Sequence, residues 1–515
     1  MRPDVARQPN ILMIMADQMA PQVLPAYGHA LVKTPHIDAL AERGVVFENA
    51  YCNFPLCVPS RASMLTGRYA NSIAVWDNAA EMTASTPTLA HYLRGAGYSA
   101  TLCGKMHFIG PDQLHGFGER LTTDIYPSNF AWTPDWTEGD RPTGISMRAV
   151  IEAGRCVRSL QIDYDDEVEY HGGQKLYDLA RFAGDQPWFL LVSFTHPHSP
   201  FITTDRYWDL YRHEDIERPA VAPIALEHLD PFSRWLYFAH AQDRHTVTEE
   251  HVRNARHAYY GMVSYIDDKV GHLLSVLEAT GLADSTAVVF TADHGEMLGE
   301  RGMWYKQTFF EWSARVPFII SGPGIAAGRR EAAPVSLVDL LPTLHDLATD
   351  AAPLPEVAPL DGHSLAPLLG TAAVKHRWEH PVISEYTGEG TCSPCRMIRR
   401  GALKCIYTHG HPLQLFDLAN DPLELDDKAN APAYAGRRDT LAAQLLDGWD
   451  AQDVEARARA NQAQRHFIQK VTGGAPTWAF EARPGDTERY VRNASAVATK
   501  GKARLPYVPP TPFEY

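Results

Sequence analysis

The sequence predicts an α/β fold in which a large, mostly parallel central sheet lies between helices, followed by a smaller α+β region with an antiparallel sheet. Continuous apolar runs at residues 10–16 (NILMIMA), 188–195 (WFLLVSFT) and 286–291 (TAVVFT) are typical of strands buried on both faces of a parallel sheet. Helix-like stretches separate these runs, and each run ends in polar residues. Strands that alternate with helices in this way indicate a doubly wound domain.

The other elements of this domain follow from caps, breakers and periodicity. Thr34-Pro35 introduces a helix that Gly44 ends. In chain order, we predict helices at 36–43, 61–65, 88–95 and 248–279, and further strands at 45–49, 98–103 and 317–321. Ligands bind at the carboxyl ends of the strands in such sheets, so the polar residues that follow the strands form the candidate site.

The composition changes near residues 351–367, which are rich in Pro and Ala. Short strand-like segments at 382–386, 395–400, 404–407 and 414–417 then predict a small antiparallel sheet, with a covering helical segment at 434–459. We therefore divide the chain into a main α/β domain (1–375), an α+β subdomain (376–470) and an extended tail (471–515). The tail is either an arm that wraps a neighbouring subunit or an ordered segment on its own subunit.

The charge and the apolar content exclude several classes of protein. The formal net charge of −15 argues against nucleic-acid binding, which needs a basic surface. It also means that a site for an anionic ligand needs its own local cations. The first residues lack the apolar core of a signal peptide, and no stretch approaches the roughly 20 apolar residues of a membrane span. We therefore expect a cytoplasmic protein that has no membrane partner.

The seven cysteines, an odd number spread over a long chain, do not form the pattern of a disulfide framework. Cys392-Ser-Pro-Cys395 has C-x-x-C spacing, but a zinc site needs four ligands and no second pair lies nearby. A structural zinc or a redox role stays open for this pair, and we expect the thiols to be mostly reduced.

The most distinctive stretch is NFPLCVPSRASMLTGRYA at residues 53–70, in which Cys57, Pro59, Ser60 and Arg61 spell C-x-P-S-R. A helix that begins near Arg61 would direct its N-terminal amides toward residue 57, a favourable place for an oxyanion. The alternative is that Pro59 and Ser60 only form a turn before this helix, with Cys57 as a buried thiol.

Polar residues at the other strand ends indicate a metal site and an acid–base set. Asp17 follows the first apolar run, and the pair Asp293-His294 follows TAVVFT. Carboxylate oxygens suit a hard divalent cation such as Ca²⁺, Mg²⁺ or Mn²⁺, and the imidazole favours Mn²⁺ or a mixed site. Basic residues stand at two further strand ends: Lys105, His107, His196 and His198.

The stretch around Cys57 resembles the signature of the type I sulfatases. In that family a maturation enzyme oxidises the cysteine to formylglycine, an aldehyde that hydrates to a geminal diol. One hydroxyl attacks the sulfur of a sulfate ester and the other then expels sulfate by C–O cleavage, so that one difficult step becomes two easier ones. The resemblance implies formylglycine at position 57, one divalent metal ion, and a formylglycine-generating enzyme as a partner.

The resemblance also assigns roles to individual residues. The implied metal ligands are Asp17, Gln18, Cys57, Asp293 and His294. The implied catalytic positions are Cys57, Arg61, Lys105, His107, His198 and Lys306. Among these, Arg61 would stabilise the ionised formylglycine and His107 would be the base of the collapse step. His198 and Lys306 would supply a proton and positive charge to the leaving group, and Asn78 would bind the sulfuryl group.

Beyond these motifs, the chain looks like the choline sulfatase subfamily, most clearly at residues 77–81, 104–136, 164–168 and 298–317. This likeness covers nearly the whole chain and implies an alkaline-phosphatase-like fold and a dimer or tetramer. Gln18 and His294 are also features of the related phosphonate monoester hydrolases. Choline recognition in the subfamily uses aromatic and acidic side chains, for which Trp132 and either Glu385 or Glu389 are the candidates.

Two departures from the subfamily pattern affect the prediction of which alcohol the substrate carries more than the prediction of the reaction. Residues 138–158 form a shorter segment than in the family and lack an evident His, and residues 494–498 lack an acidic residue that the family carries. We expect hydrolysis of a small organic sulfate monoester, choline sulfate or an aryl or alkyl sulfate, by S–O cleavage. The alternatives are a phosphonate monoester or phosphodiester hydrolase that uses the same site, and an inactive anion-binding homologue.

Overall fold

The strands lie close to where the apolar runs predicted them. The structure, a computed structural model, describes residues 8–142, 144–370 and 378–472, all of which belong to one compact unit. The strands are β1 (Asn10–Ala16), β2 (Gly44–Phe47), β3 (Ala50–Tyr51), β4 (Ser99–Gly104), β5 (Glu119–Arg120), β6 (Gly154–Arg155), β7 (Trp188–Ser193), β8 (Ile202–Thr203), β9 (Thr286–Ala292), β10 (Phe318–Ser321), β11 (Arg329–Glu331), β12 (Val335–Ser336), β13 (Val382–Tyr386), β14 (Cys395–Arg400), β15 (Leu403–Thr408) and β16 (Gln414–Asp417).

The central sheet has eight strands in the order β11-β2-β10-β9-β1-β7-β4-β5. The pairs β9-β1, β1-β7, β7-β4, β4-β5 and β11-β2 are parallel, which confirms the predicted mostly parallel sheet. Strand β10 runs antiparallel to both of its neighbours. Residues 293–317 hold no long crossover helix, so the chain re-enters the sheet from the edge at which β9 ends.

Helices flank this sheet, and the longest of them precedes β9 as predicted. They are α1 (Pro35–Glu42), α2 (Cys57–Thr66), α3 (Leu89–Gly95), α4 (Arg148–Ile151), α5 (Leu160–Phe182), α6 (Asp205–Trp208), α7 (Pro231–Ala239), α8 (Glu249–Ala279), α9 (Glu311–Ala314), α10 (Leu340–Thr349), α11 (Ala366–Leu369), α12 (Ala435–Leu446) and α13 (Ala451–Val471). Among the described helices, none combines the length and the apolar character needed to cross a membrane.

Helix α2 begins four residues earlier than predicted, at Cys57 itself. Leu56 is extended and caps the helix, and Pro59 lies in the first turn. Proline is tolerated there because the first four N–H groups of a helix have no intrahelical acceptor. Cys57 and Arg61 are therefore one turn apart on the same face of a fully buried helix.

Strands β13 to β16 form the predicted antiparallel sheet. Met397 and Phe416 belong to a buried cluster with Phe54 and Phe309, which joins this sheet to the rest of the unit. The covering segment is two helices, α12 and α13, since Gly448 adopts a positive φ of 64° between them. The predicted domain boundary at residue 375 and residues 473–515 of the predicted tail lie outside the described residues.

Candidate active site

The four adjacent strands β9, β1, β7 and β4 are parallel, so their carboxyl ends meet at one edge of the sheet. Asp293 follows β9, Asp17 follows β1, and Lys105 follows β4. The first turn of α2 reaches the same edge, because the hydroxyl of Ser60 donates a hydrogen bond of 2.5 Å to the carbonyl oxygen of Asp293. The topology thus brings together residues that are up to 276 positions apart.

Four buried side chains form a group that could hold a metal ion: Asp17, Cys57, Asp293 and His294. One ligand atom from each lies within 4.8 Å of the others. Nδ1 of His294 is 3.1 Å from the carbonyl oxygen of Gly295 and acts as the donor there, which leaves the lone pair of Nε2 directed at Sγ of Cys57, 3.2 Å away. Burial lowers the pKa of His294 to about 4, so the imidazole is neutral.

The donor set fits a divalent cation. Oδ1 of Asp17 is buried and has no hydrogen-bond partner among the described residues. Two carboxylates and a neutral imidazole are ligands that Mn²⁺, Ca²⁺ and Mg²⁺ accept in mixed sites. Burial raises the pKa of Asp17, but the charges of Lys105 and Arg61 outweigh it and bring the pKa to about 2, so this carboxylate stays ionised.

Arg61 connects the elements of the group. Its Nε donates to Oδ2 of Asp293 at 2.8 Å, and Nη2 donates to Oδ2 of Asp17 at 3.1 Å. Its Nη1 donates to the carbonyl oxygen of Lys105 at 2.6 Å and to the hydroxyl of Ser193 at 2.9 Å. A guanidinium that is almost fully buried between two carboxylates holds the ends of β1, β4, β7 and β9 in register around the thiol.

Lys105 and His107 lie on the β4 side of the site. The ammonium group of Lys105 forms a buried salt bridge with Asp17 and lies 4.3 Å from the centre of the Tyr126 ring. The backbone N–H of His107 donates to Asp124 at 2.7 Å, while neither ring nitrogen has a partner in the described part of the chain. Burial and the nearby Lys105 lower the pKa of His107 to about 3, which leaves an uncharged ring that can accept a proton.

His198 and Lys306 contact each other and Gln18. Nζ of Lys306 donates to Nε2 of His198 at 2.8 Å and to Oε1 of Gln18 at 2.6 Å. Nδ1 of His198 is 2.7 Å from the carbonyl oxygen of Ser199, to which it donates. The amide NH₂ of Gln18 donates to the buried carboxylate of Glu296. The backbone N–H of Gln18 donates to Asp293 at 3.0 Å, so this residue adjoins the metal-ligand group, with its amide oxygen facing Lys306.

Asn78 and Trp132 lie at the mouth of the site. Oδ1 of Asn78 accepts from the backbone N–H of Val58 at 3.0 Å, next to Cys57, and its Nδ2 donates to Oε1 of Glu389 at 2.9 Å. The Trp132 ring is 41% exposed and packs edge-on against His107 at 5.3 Å between ring centres. An exposed aromatic face therefore adjoins the predicted base.

Glu385 is turned away from this mouth. It lies on β13, where its carboxylate is 3.3 Å from the guanidinium of Arg396 on the neighbouring strand and accepts from the backbone N–H of Asn71 at 3.0 Å. Glu389, the other candidate, contacts Asn78, and its Oε2 has no partner among the described residues. Of the two candidates for a substrate ligand, Glu385 is thus engaged in contacts within the fold, whereas Glu389 keeps one carboxylate oxygen without a partner among the described residues.

The sequence reading missed several residues that support the site. Tyr126 packs against His107, His198 and Trp132, and its hydroxyl is 3.1 Å from Nδ1 of His198. Asp124 accepts the backbone N–H of His107 and could have been noticed only as an acid in the 104–136 segment. Cys392 and Cys395 are free thiols, and neither belongs to the groups of candidate metal ligands found within residues 8–142, 144–370 and 378–472.

Comparisons with known proteins agree with this architecture. Residues 9–351 match the family model Sulfatase, and residues 299–450 match the model N-sulphoglucosamine sulphohydrolase, C-terminal. The chain is 44% identical to a choline-sulfatase of Rhizobium meliloti (strain 1021), over 94% of this chain and 96% of that protein. It is 30% identical to human arylsulfatase K, over 82% of this chain and 79% of that protein.

Among solved structures, the phosphonate monoester hydrolase of Agrobacterium radiobacter superposes with a TM-score of 0.65 at 28% identity, over 87% of this chain and 96% of that one. The fold and the sequence matches together define a sulfuric ester hydrolase. The chain belongs to the sulfatase family.

Proposed function

We propose that the protein hydrolyses choline sulfate, a small sulfate monoester whose alcohol part carries a quaternary ammonium group, by S–O cleavage. The observation that carries this choice is the mouth of the site. Arg465 donates to both Asp77 and Thr133, and so links the segment of the exposed Trp132 to that of Asn78, whose amide donates to the carboxyl group of Glu389. A quaternary ammonium binds to an aromatic face and to a carboxylate. The choline-sulfatase at 44% identity supports the same choice.

We propose Cys57 as the precursor of formylglycine, which supplies an attacking hydroxyl when hydrated and releases sulfate by C–O cleavage through its second hydroxyl. Asp17, Gln18, Asp293, His294 and residue 57 would hold a divalent cation, which would supply positive charge that lowers the pKa of the attacking hydroxyl. The buried and unpaired Oδ1 of Asp17 supports this assignment.

The basic side chains of the site then divide the remaining work. Arg61 holds the two carboxylates and keeps positive charge beside residue 57. His107, an uncharged imidazole whose two ring nitrogens have no partner among the described residues, is placed to take the proton of the second hydroxyl when sulfate leaves. Lys105 lies beside Asp17 at the same end of β4 and adds positive charge there.

The leaving group requires a proton as the S–O bond breaks. Nε2 of His198 accepts a hydrogen bond from the ammonium group of Lys306, so Lys306 carries the shared proton in the free protein. We propose that Lys306 and His198 together protonate the departing alkoxide, and that the hydrogen bond from Nδ1 to Ser199 fixes the His198 ring. Asn78 would bind the sulfuryl group through its side-chain NH₂, which donates a hydrogen bond to Glu389 in the free protein.

The experiment compares kcat/KM for choline sulfate, 4-nitrophenyl sulfate and an aryl phosphonate monoester, with the maturation enzyme co-expressed. The proposal expects choline sulfate to be the best substrate and Trp132→Ala to reduce its kcat/KM by about 10-fold or more, mainly through KM. Phe182→Ala, which truncates an exposed aromatic on α5, is the matched control. A Trp132→Ala variant with unchanged selectivity would contradict the proposal.

Phosphonate monoester hydrolysis is the second candidate, favoured by the structural similarity to the Agrobacterium enzyme and by Gln18 and His294. A higher kcat/KM for the phosphonate than for both sulfates would select it. A third possibility, an inactive anion-binding protein, is tested by mass spectrometry of the tryptic peptide that ends at Arg61. Only unmodified Cys57 after co-expression with the maturation enzyme would select that possibility.

A further inference from the structure

We infer that helix α13 (Ala451–Val471) is a specificity-determining element that fixes the three segments around the alcohol side of the site. This inference rests on the proposed function for the roles of Trp132 and Glu389. The three segments, which we call the mouth segments, are residues 76–79, 130–136 and 388–392. Side chains of α13 hydrogen-bond to each of them.

The first contact is a buried ion pair. Arg465 donates from Nη1 and Nη2 to the two carboxylate oxygens of Asp77, each at 2.6 Å, and both side chains are at most 4% exposed. Asp77 immediately precedes Asn78, the residue that links the backbone of Val58 to Glu389. A bidentate pair of this kind fixes both the distance and the orientation of the segment.

The second set of contacts holds the segment that carries Trp132, through residues that precede and follow it in the sequence. Nη1 of Arg465 also donates to the hydroxyl of Thr133 at 3.2 Å, and Nε2 of His466 is 3.1 Å from the carbonyl oxygen of Pro134. The amide of Gln469 donates to the carbonyl oxygen of Phe130. Trp132 therefore lies between residues whose backbones or side chains bind to the helix.

The third contact joins the segment of Glu389 to that of Trp132. Arg459 donates from Nη1 to the carbonyl oxygen of Trp136 at 3.0 Å and from Nη2 to that of Cys392 at 3.1 Å. The indole N–H of Trp136 in turn donates to the carbonyl oxygen of Gly388 at 3.4 Å. One arginine thus bridges the two segments that the proposed function assigns to the cationic alcohol.

The groups that act on the sulfuryl centre are held differently. Cys57, Asp17, Lys105 and Asp293 are fixed by the sheet and by Arg61, through contacts in which α13 takes no part. Loosening the contacts of α13 with residues 130–136 and 388–392 should therefore weaken recognition of the alcohol, while the chemistry at sulfur stays nearly unchanged. Preorganised binding segments of this kind raise affinity by reducing the cost of ordering them on binding.

The test is the double variant Arg459→Met/Gln469→Leu, which keeps the apolar stems but removes the bridging hydrogen bonds. We expect kcat/KM for choline sulfate to fall about 10-fold or more through KM, and kcat/KM for 4-nitrophenyl sulfate to change less than about 3-fold. The matched control is Arg437→Met/Gln464→Leu, at exposed positions of α12 and α13. An equal loss of kcat for both substrates, or unchanged selectivity, would overturn the inference.

Two further measurements keep the outcomes distinct. Thr133→Val removes the hydroxyl that accepts from Arg465 and donates to the carbonyl oxygen of Phe130. It should shift selectivity in the same direction as the double variant, and it tests the inference even if the double variant does not fold. Trp132→Ala is measured in the same panel. If Trp132→Ala changes selectivity and the α13 variants do not, the inference on the helix is wrong. If Trp132→Ala also leaves selectivity unchanged, the proposed function is wrong.

Discussion

Lowering the pH through about 7 should reduce turnover of choline sulfate more than turnover of an aryl sulfate that has no cationic group. The reason is Glu389, because burial raises the pKa of this carboxyl to about 7. The negative charge of Asp77 raises the pKa further, whereas Lys306 and the hydrogen bond from Asn78 lower it. The group that we assign to the quaternary ammonium therefore loses its charge within an accessible pH range.

The magnitude follows from the titration of one carboxyl group. One pH unit below its pKa, such a group is about one-tenth ionised, so kcat/KM for choline sulfate should fall about 10-fold per pH unit below about 7. Binding a cation favours the ionised form and moves the same limb of the kcat profile to lower pH. Glu389→Gln removes the charge at every pH, and we expect a loss of about 10- to 100-fold for choline sulfate.

The assay is the ratio of kcat/KM for choline sulfate to that for 4-nitrophenyl sulfate, measured from about pH 5.5 to about pH 8.5. Titrations that affect both substrates, such as those near residue 57, cancel in this ratio. The ratio should fall with decreasing pH in the wild type and stay flat in Glu389→Gln, while the exposed-site control Glu356→Gln behaves as wild type. A flat wild-type ratio, or a limb that persists in Glu389→Gln, would refute the assignment.

Three other outcomes are expected. Cys57→Ala should abolish turnover and leave the thermal midpoint unchanged, and full retained activity would exclude this residue as the nucleophile precursor. Lys404→Met leaves the buried carboxylate of Glu424 without its ammonium partner, whereas Glu311 keeps Arg399 and Tyr51, and the variant should lower the free energy of unfolding by about 3–5 kcal/mol in urea titrations; a change below about 1 kcal/mol would contradict this. Glu296→Gln should reverse the Gln18 amide, present its NH₂ to Lys306 and lower kcat/KM about 10- to 100-fold. Adding Gln18→Glu gives residue 18 two carboxylate oxygens, which can accept from the side chain at 296 and from Lys306. The double variant should recover most of the activity, and most of the thermal midpoint when both are measured on chelator-treated, metal-free protein. A double variant no better than Glu296→Gln would show that the two residues are not coupled.

Much of the site could be predicted from local patterns. Apolar runs typical of strands buried on both faces predict β1, β7 and β9, and the rule that the carboxyl ends of parallel strands meet at one edge then places Asp17 and Asp293 together from the sequence alone. The family signature around Cys57 identified the helix that faces them. These predictions succeeded because strand formation and strand-end chemistry depend on the residues of a short window and on one general topology.

Features that depend on contacts between distant segments were decided only by the tertiary structure. The local sequence of β10 does not indicate that it runs antiparallel to its neighbours, because the direction of a strand depends on the edge at which the chain re-enters the sheet. The apolar pattern does not distinguish Glu385 from Glu389 either. Only the folded chain shows that Glu385 pairs with Arg396 on the neighbouring strand and that one carboxylate oxygen of Glu389 has no partner among the described residues. Most contacts of α13 with the mouth segments join residues more than 300 positions apart in the chain, so only the folded protein shows that this helix holds the mouth of the site.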